Sequence, residues 1–125
     1  MFKKTFIQLL FLSTILSFSA AASAIGNTAM MANILMHLNH YPSDAEKSEL
    51  KDMMGSGSAT ANEKIIAQAM INLRHSASDA DKARLKTVID DPSAKAGERN
   101  LASIVYSLHH KPSSADKAVL KDMLE

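Results

Sequence analysis

Five histidines and eight methionines, seven of these beyond residue 24, are the side chains of this 125-residue chain with the clearest capacity for chemistry. Imidazole nitrogen suits zinc and copper, and thioether sulfur suits Cu(I), so metal ligation is the first chemistry to weigh. There is no cysteine, which excludes a thiolate zinc site, a thiol nucleophile, a disulfide scaffold and a lipid-anchored cysteine.

Local spacing gives metal ligation limited support. No H-x-x-x-H pair falls within one stretch: His37 and His40 are three apart, and His109 and His110 are adjacent and project in different directions. His40, His75 and His110 are 35 residues apart, at one register of an internal repeat. In a row of stacked helical units, equivalent positions lie ~8–10 Å apart. Two such histidines can share an ion across one interface, but three cannot all approach to about 2 Å. The metal candidates are therefore His75 with His109 or His110, holding zinc or copper no tighter than about micromolar, or ~8 kcal/mol. The favoured role of the repeated histidine is structural. It is expected in the last turn of a helix, with its ring bonded to free carbonyls at the negative end of the dipole.

The methionines read as packing. Met30, Met31, Met53 and Met54 share repeat positions with Ile65, Ile66, Val88 and Ile89, and aliphatic side chains cannot ligate; methionine fills irregular cores well. G-x-S-x-G, H-E-x-x-H and phosphate-loop patterns are all missing, and Gly55-Ser56-Gly57-Ser58 has no lysine after it. The chain is expected to be no enzyme, with no catalytic residues and no cofactor.

The elements that would position these residues come from the repeat. Leu38 to Lys51, Leu73 to Lys86 and Leu108 to Lys121 align without a gap, and Leu, His, Ser, Ala, Lys, Leu and Lys recur in all three. Apolar residues fall at 31, 34, 35 and 38; at 66, 69, 70 and 73; and at 101, 104, 105 and 108. That is the i, i+3, i+4, i+7 stripe of an amphipathic helix. Ser43, Ser78 and Ser113 then stand three residues before Glu46, Asp81 and Asp116, the pattern of a capping box opening a second helix. Inner helices are predicted near 27–40, 60–75 and 93–110, and outer helices near 44–54, 79–89 and 114–124. Asp91-Pro92 is expected to cap and open the third inner helix. The second helix should bury Ala45, Leu50, Met53 and Met54.

The fold class is thus all-α, with three tandem helix-hairpin repeats, about 25–54, 60–89 and 95–124, stacked as a short α-solenoid. A compact six-helix bundle is the alternative. The period is near that of tetratricopeptide repeats, whose aromatic, glycine and proline signature is missing here, so only the type of architecture is shared.

Residues 1–24 read as a secretory signal peptide: Lys3 and Lys4, an apolar run from Phe6 to Phe18, then Ala20-Ala21-Ala22-Ser23-Ala24 before the expected cleavage site. The run is shorter than the ~20 apolar residues of a membrane span. Residues 25–125 form the single domain, expected in the periplasm or secreted. Without the leader the 14 basic residues fall to 12 against 13 acidic ones. That balance removes the basic excess that nucleic-acid binding needs.

The function this pattern favours is a non-enzymatic exported protein that binds another protein in the cell envelope, as an adaptor or as an inhibitor or immunity-type binder. The alternative is a His/Met-based metal-binding protein. Candidate partner-binding residues are Met30 and Met31, on an inner helix with no preceding repeat to cover it, and the ladder Lys47, Lys51, Lys82, Lys86, Lys117 and Lys121. Apolar surface on the first repeat would also allow a homodimer.

Overall fold

The computed structural model describes residues 26–125; the expected leader and its cleavage site lie outside them. Six helices follow in order: α1 (Asn27–Met36), α2 (Asp44–Gly55), α3 (Ala61–Ile71), α4 (Asp79–Ile89), α5 (Ala96–Ser107) and α6 (Ser114–Leu124). The described residues are all-helical, three hairpins of one inner and one outer helix. None of these helices is long and apolar enough to cross a membrane.

Local sequence accounts for the helix starts. Ser43, Ser78 and Ser113 each accept a hydrogen bond from the backbone N–H three residues on, at 3.1, 3.1 and 3.0 Å. Glu46 and Asp116 reach back to the serine N–H and complete the box. Asp81 does not, because its oxygens are taken by Asn72, Ser78 Oγ and Arg84. Asp91 does not open α5: it accepts from the Ser93 N–H and hydroxyl in a local turn, and the helix begins at Ala96.

All twelve positions of the predicted inner stripe are buried, together with Ala32, Ala67 and Ala102. From the outer helices Leu50, Met53, Leu85, Val88 and Leu120 join them. Ala45 is exposed, as are Ala80 and Ala115, because this first-turn position faces away from the inner helices; Met54 is half-buried.

The inner helices α1, α3 and α5 all touch one another, and each outer helix packs on the next inner helix round: α2 on α3, α4 on α5, α6 on α1. The units therefore close around an axis instead of leaving a first and a last face open. Burial explains the closure. A row of three would leave Met31 and Leu35 of α1 in water, and here both are fully buried.

At one end of the axis the units are tied by buried acids. Asn27 Nδ2 donates to Glu63 Oε1 at 3.0 Å, and Asn62 Nδ2 to Glu98 Oε1 at 3.1 Å. Gly97 and Thr28 hold the third pair of positions, so that seam has no such tie; a Cβ on Gly97 would lie 3.9 Å from Thr28. Burial pushes the Glu98 carboxyl up. Hydrogen bonds from Thr60 Oγ1, Asn62 Nδ2 and the Lys95 N–H outweigh it and hold the group below its usual 4.5. A depressed carboxyl stabilises the fold above its unfolded value and loses that contribution as pH falls through the folded one. Glu98→Ala should therefore cost about 1–3 kcal/mol at pH 7, the penalty for unpairing part-buried donors. Wild type should lose stability below about pH 4.5 more steeply than Glu98→Ala, as followed by denaturant unfolding at a series of pH values.

Candidate metal centre

The other end of the axis is built by three copies of one turn. Each inner helix closes with a tightened last turn, in which the N–H of Leu38, Leu73 and Leu108 donates three residues back to Leu35, Met70 and Val105. The three leucines are buried and pin the chain under the helix ends. Two residues later come His40, His75 and His110, and after one further residue the buried Pro42, Ala77 and Pro112 lead into the serine caps. The repeated histidines thus lie three or four residues beyond the inner helices, not in their last turns as the sequence predicted. The amphipathic stripe runs through Leu38 and hides the point at which the backbone leaves the helix.

At each histidine the backbone turns through the left-handed region, with φ of 80° at His40, 64° at His75 and 68° at His110. No other non-glycine residue among those described has a positive φ. Ser76 N–H donates to Arg74 C=O at 2.6 Å and Lys111 N–H to His109 C=O at 2.8 Å, closing γ-turns with a histidine at the centre. Side chains other than asparagine, aspartate and histidine are rare at such φ, and the conformation carries strain. The turns are also tied to one another. His40 N–H donates to His110 C=O at 2.8 Å and His110 N–H to His75 C=O at 2.6 Å, two legs of a ring about the axis.

This framework brings the three rings together. Nδ1 of His40 lies 3.0 Å from that of His75, His75 3.0 Å from His110, and His110 3.2 Å from His40. Ring centroids are 4.9, 4.8 and 5.1 Å apart in the same order, with interplanar angles of 84°, 66° and 90°, so the rings form a propeller. The expectation that three repeated histidines cannot converge is thereby corrected. The separation of ~8–10 Å applies to the axes of helices in a row. Residues beside the axis of a closed ring meet whatever the spacing of the helices.

Three mutual contacts between Nδ1 atoms cannot all be hydrogen bonds. Each neutral imidazole carries one N–H, and each Nδ1 has a single in-plane direction in which to donate or accept. Any assignment of protons leaves at least one pair of lone pairs, or one pair of N–H groups, facing each other at about 3 Å. A cation at the centre resolves the conflict, because all three nitrogens then donate electron density to one acceptor. The spacing suits it. Nitrogens bound at 2.0–2.1 Å stand ~3.3 Å apart on a tetrahedral ion and ~2.9 Å apart on an octahedral face, and the observed 3.0–3.2 Å falls between. Three ligands leave at least one coordination position open.

His110 is held below its usual 6.5, first by loss of water around the packed ring and then by repulsion from His75, His109 and His40. Both effects favour the neutral, ligating form.

The other candidates lie elsewhere. His109 packs against His110 with ring centroids 4.9 Å apart and is not a member of the triad, so of the three predicted metal residues the structure brings together His75 and His110 and adds His40. The helix-end carbonyl role falls to His37, whose Nδ1 bonds Asn33 O at 3.0 Å. All seven methionines beyond residue 24 are core or packed against it. Met31, predicted to face a partner, is fully buried and Met30 half-buried, because α6 covers α1. The lysine ladder is divided in its contacts. Lys47 and Lys82 lie over the rings of Tyr41 and Tyr106, Lys86 pairs with Asp90 at 2.6 Å, and Lys51, Lys117 and Lys121 are exposed.

No protein-family model matches the chain, and neither a curated protein nor a solved structure does.

Proposed function

We propose that this protein binds one divalent transition-metal ion, with zinc or copper the best fit to an all-imidazole set, through Nδ1 of His40, His75 and His110. The observation that carries the reading is the triangle of Nδ1 atoms at 3.0, 3.0 and 3.2 Å. It is supported by the left-handed backbone at the same three residues. Strain repeated at three equivalent positions needs a common reason, and convergence on one ion supplies it. With the leader expected at residues 1–24, the setting would be outside the cytoplasm, where an exported metal binder meets its ion directly.

Calorimetric titration of chelator-treated protein with zinc tests the proposal. One ion per chain is expected, bound more tightly than about 1 μM, or ~8 kcal/mol. His75→Ala should abolish the site, while His109→Ala should leave it intact. Equal binding by both variants would remove the triad from the account.

A further inference from the structure

Beside the triad a groove of about 820 Å³ runs between the first and second units, bounded by Tyr41, Lys47, Asn72, Arg74, His75 and Asp81. That volume is in the range of small-molecule sites. We infer that this groove is a binding site for a small anion, a carboxylate or a phosphate group, held by Lys47 and Arg74 next to the ring of His75. The inference rests on the metal reading only for what the anion would accomplish, which is to lie next to His75, one ligand of the ion.

Charge on the walls points to an anion. Asp81, the acid of the groove, is buried at 3% exposure and already satisfied by Asn72 Nδ2 at 3.1 Å, Ser78 Oγ at 3.1 Å and Arg84 at 3.2 Å. Lys47 and Arg74 make no ion pair among the described residues. The lysine is steadied over the Tyr41 ring, 5.5 Å from its centroid, at the rim. Two unpaired cations facing a satisfied acid give a net attraction for negative charge, and a guanidinium matches the two oxygens of a carboxylate or phosphate.

Departure from the repeat makes this groove unlike its neighbour. The position held by Ile71 in the second unit is Tyr106 in the third, and Lys82, the equivalent of Lys47, lies over that ring at 5.7 Å. Tyr106 and Lys82 thus pair at the positions that Ile71 and Lys47 hold in the first groove. In the first groove the tyrosine stands on the rim, at position 41, and Ile71 lines the wall.

The test follows backbone amide shifts of the full chain during titration with inorganic phosphate in one arm and succinate in the other, without zinc and with one equivalent. Saturable shifts at Asn72, Arg74 and His75 are expected with at least one probe. The dissociation constant should rise at least tenfold in Arg74→Gln and in Lys47→Met, each checked for wild-type helicity by circular dichroism. Ser107 and His109, the equivalents of Asn72 and Arg74, should not respond saturably. Non-saturating drift, unchanged affinity in both variants, or an equal response at His109 would overturn the inference. Failure of zinc uptake in calorimetry would overturn the metal reading separately, since the zinc-free arms decide the groove. Tightening of the anion by zinc would support the inference by showing that the two sites are coupled.

Discussion

Zinc at a hundredfold excess over its dissociation constant should raise the unfolding midpoint by roughly 10–20 °C in the wild-type protein and leave His75→Ala unmoved. A ligand that binds only the folded state stabilises it by RT ln(1 + [L]/Kd), about 2.7 kcal/mol at that excess. For a domain of about 100 residues each kcal/mol is worth roughly 4–8 °C. The triad exists only when the three turns are gathered about the axis, because its members are 35 and 70 residues apart in the chain. The unfolded chain therefore has no equivalent site, and little of the linkage is lost to it. A scan by circular dichroism, repeated at several zinc concentrations, should show a midpoint that climbs with concentration. Fixed midpoints at every concentration would contradict metal binding to the folded state.

Removing two of the histidines should leave the metal-free protein at least as stable as before. His40 and His75 hold φ of 80° and 64°, and the left-handed region costs a residue with a Cβ ~1–2 kcal/mol. Glycine adopts it freely, at an entropic cost of ~0.5–1 kcal/mol. His40→Gly with His75→Gly should thus stabilise the apo protein by about 1–2 kcal/mol, helped by relief of the crowded nitrogens, and abolish its response to zinc. The opposite sign is expected if the rings serve packing or helix capping, since glycine provides neither. Denaturant unfolding in chelator distinguishes the two, and only the ligand role predicts a variant that is more stable and cannot bind.

Why the sequence revealed the hairpins but not the centre can be seen in particular residues. Leu35, Ile66 and Leu101 lie on stripes whose period is set by the helix itself, so their burial is readable within one window of sequence. Ser43 and Glu46 are likewise three residues apart and interact locally. Convergence of His40, His75 and His110 depends on closure of the third unit against the first through α6 and α1, a contact between opposite ends of the chain that no local period encodes. In an open row the three histidines would stand too far apart to share one ion and Met30 and Met31 would lie on a free face; packing of α6 on α1 removes both conditions. The usable signal was already present in the repeat. A histidine fixed at one register while its neighbours vary as Asn39, Arg74 and His109 before it, and Tyr41, Ser76 and Lys111 after it, is invariant where local packing does not require it. A short stretch ending at Pro42 or Pro112 is also a turn, where histidine adopts left-handed φ more readily than most side chains.

Nitrogen chemical shifts of the histidine rings, read before and after one equivalent of zinc, test the central claim most directly. The account predicts that His40, His75 and His110 respond together, in slow exchange, that the largest change falls on Nδ1 of each, and that His37 and His109 stay where they were. Zinc-induced changes on Nε2, or on His109 in place of His40, would contradict a centre formed by the three Nδ1 atoms on the axis.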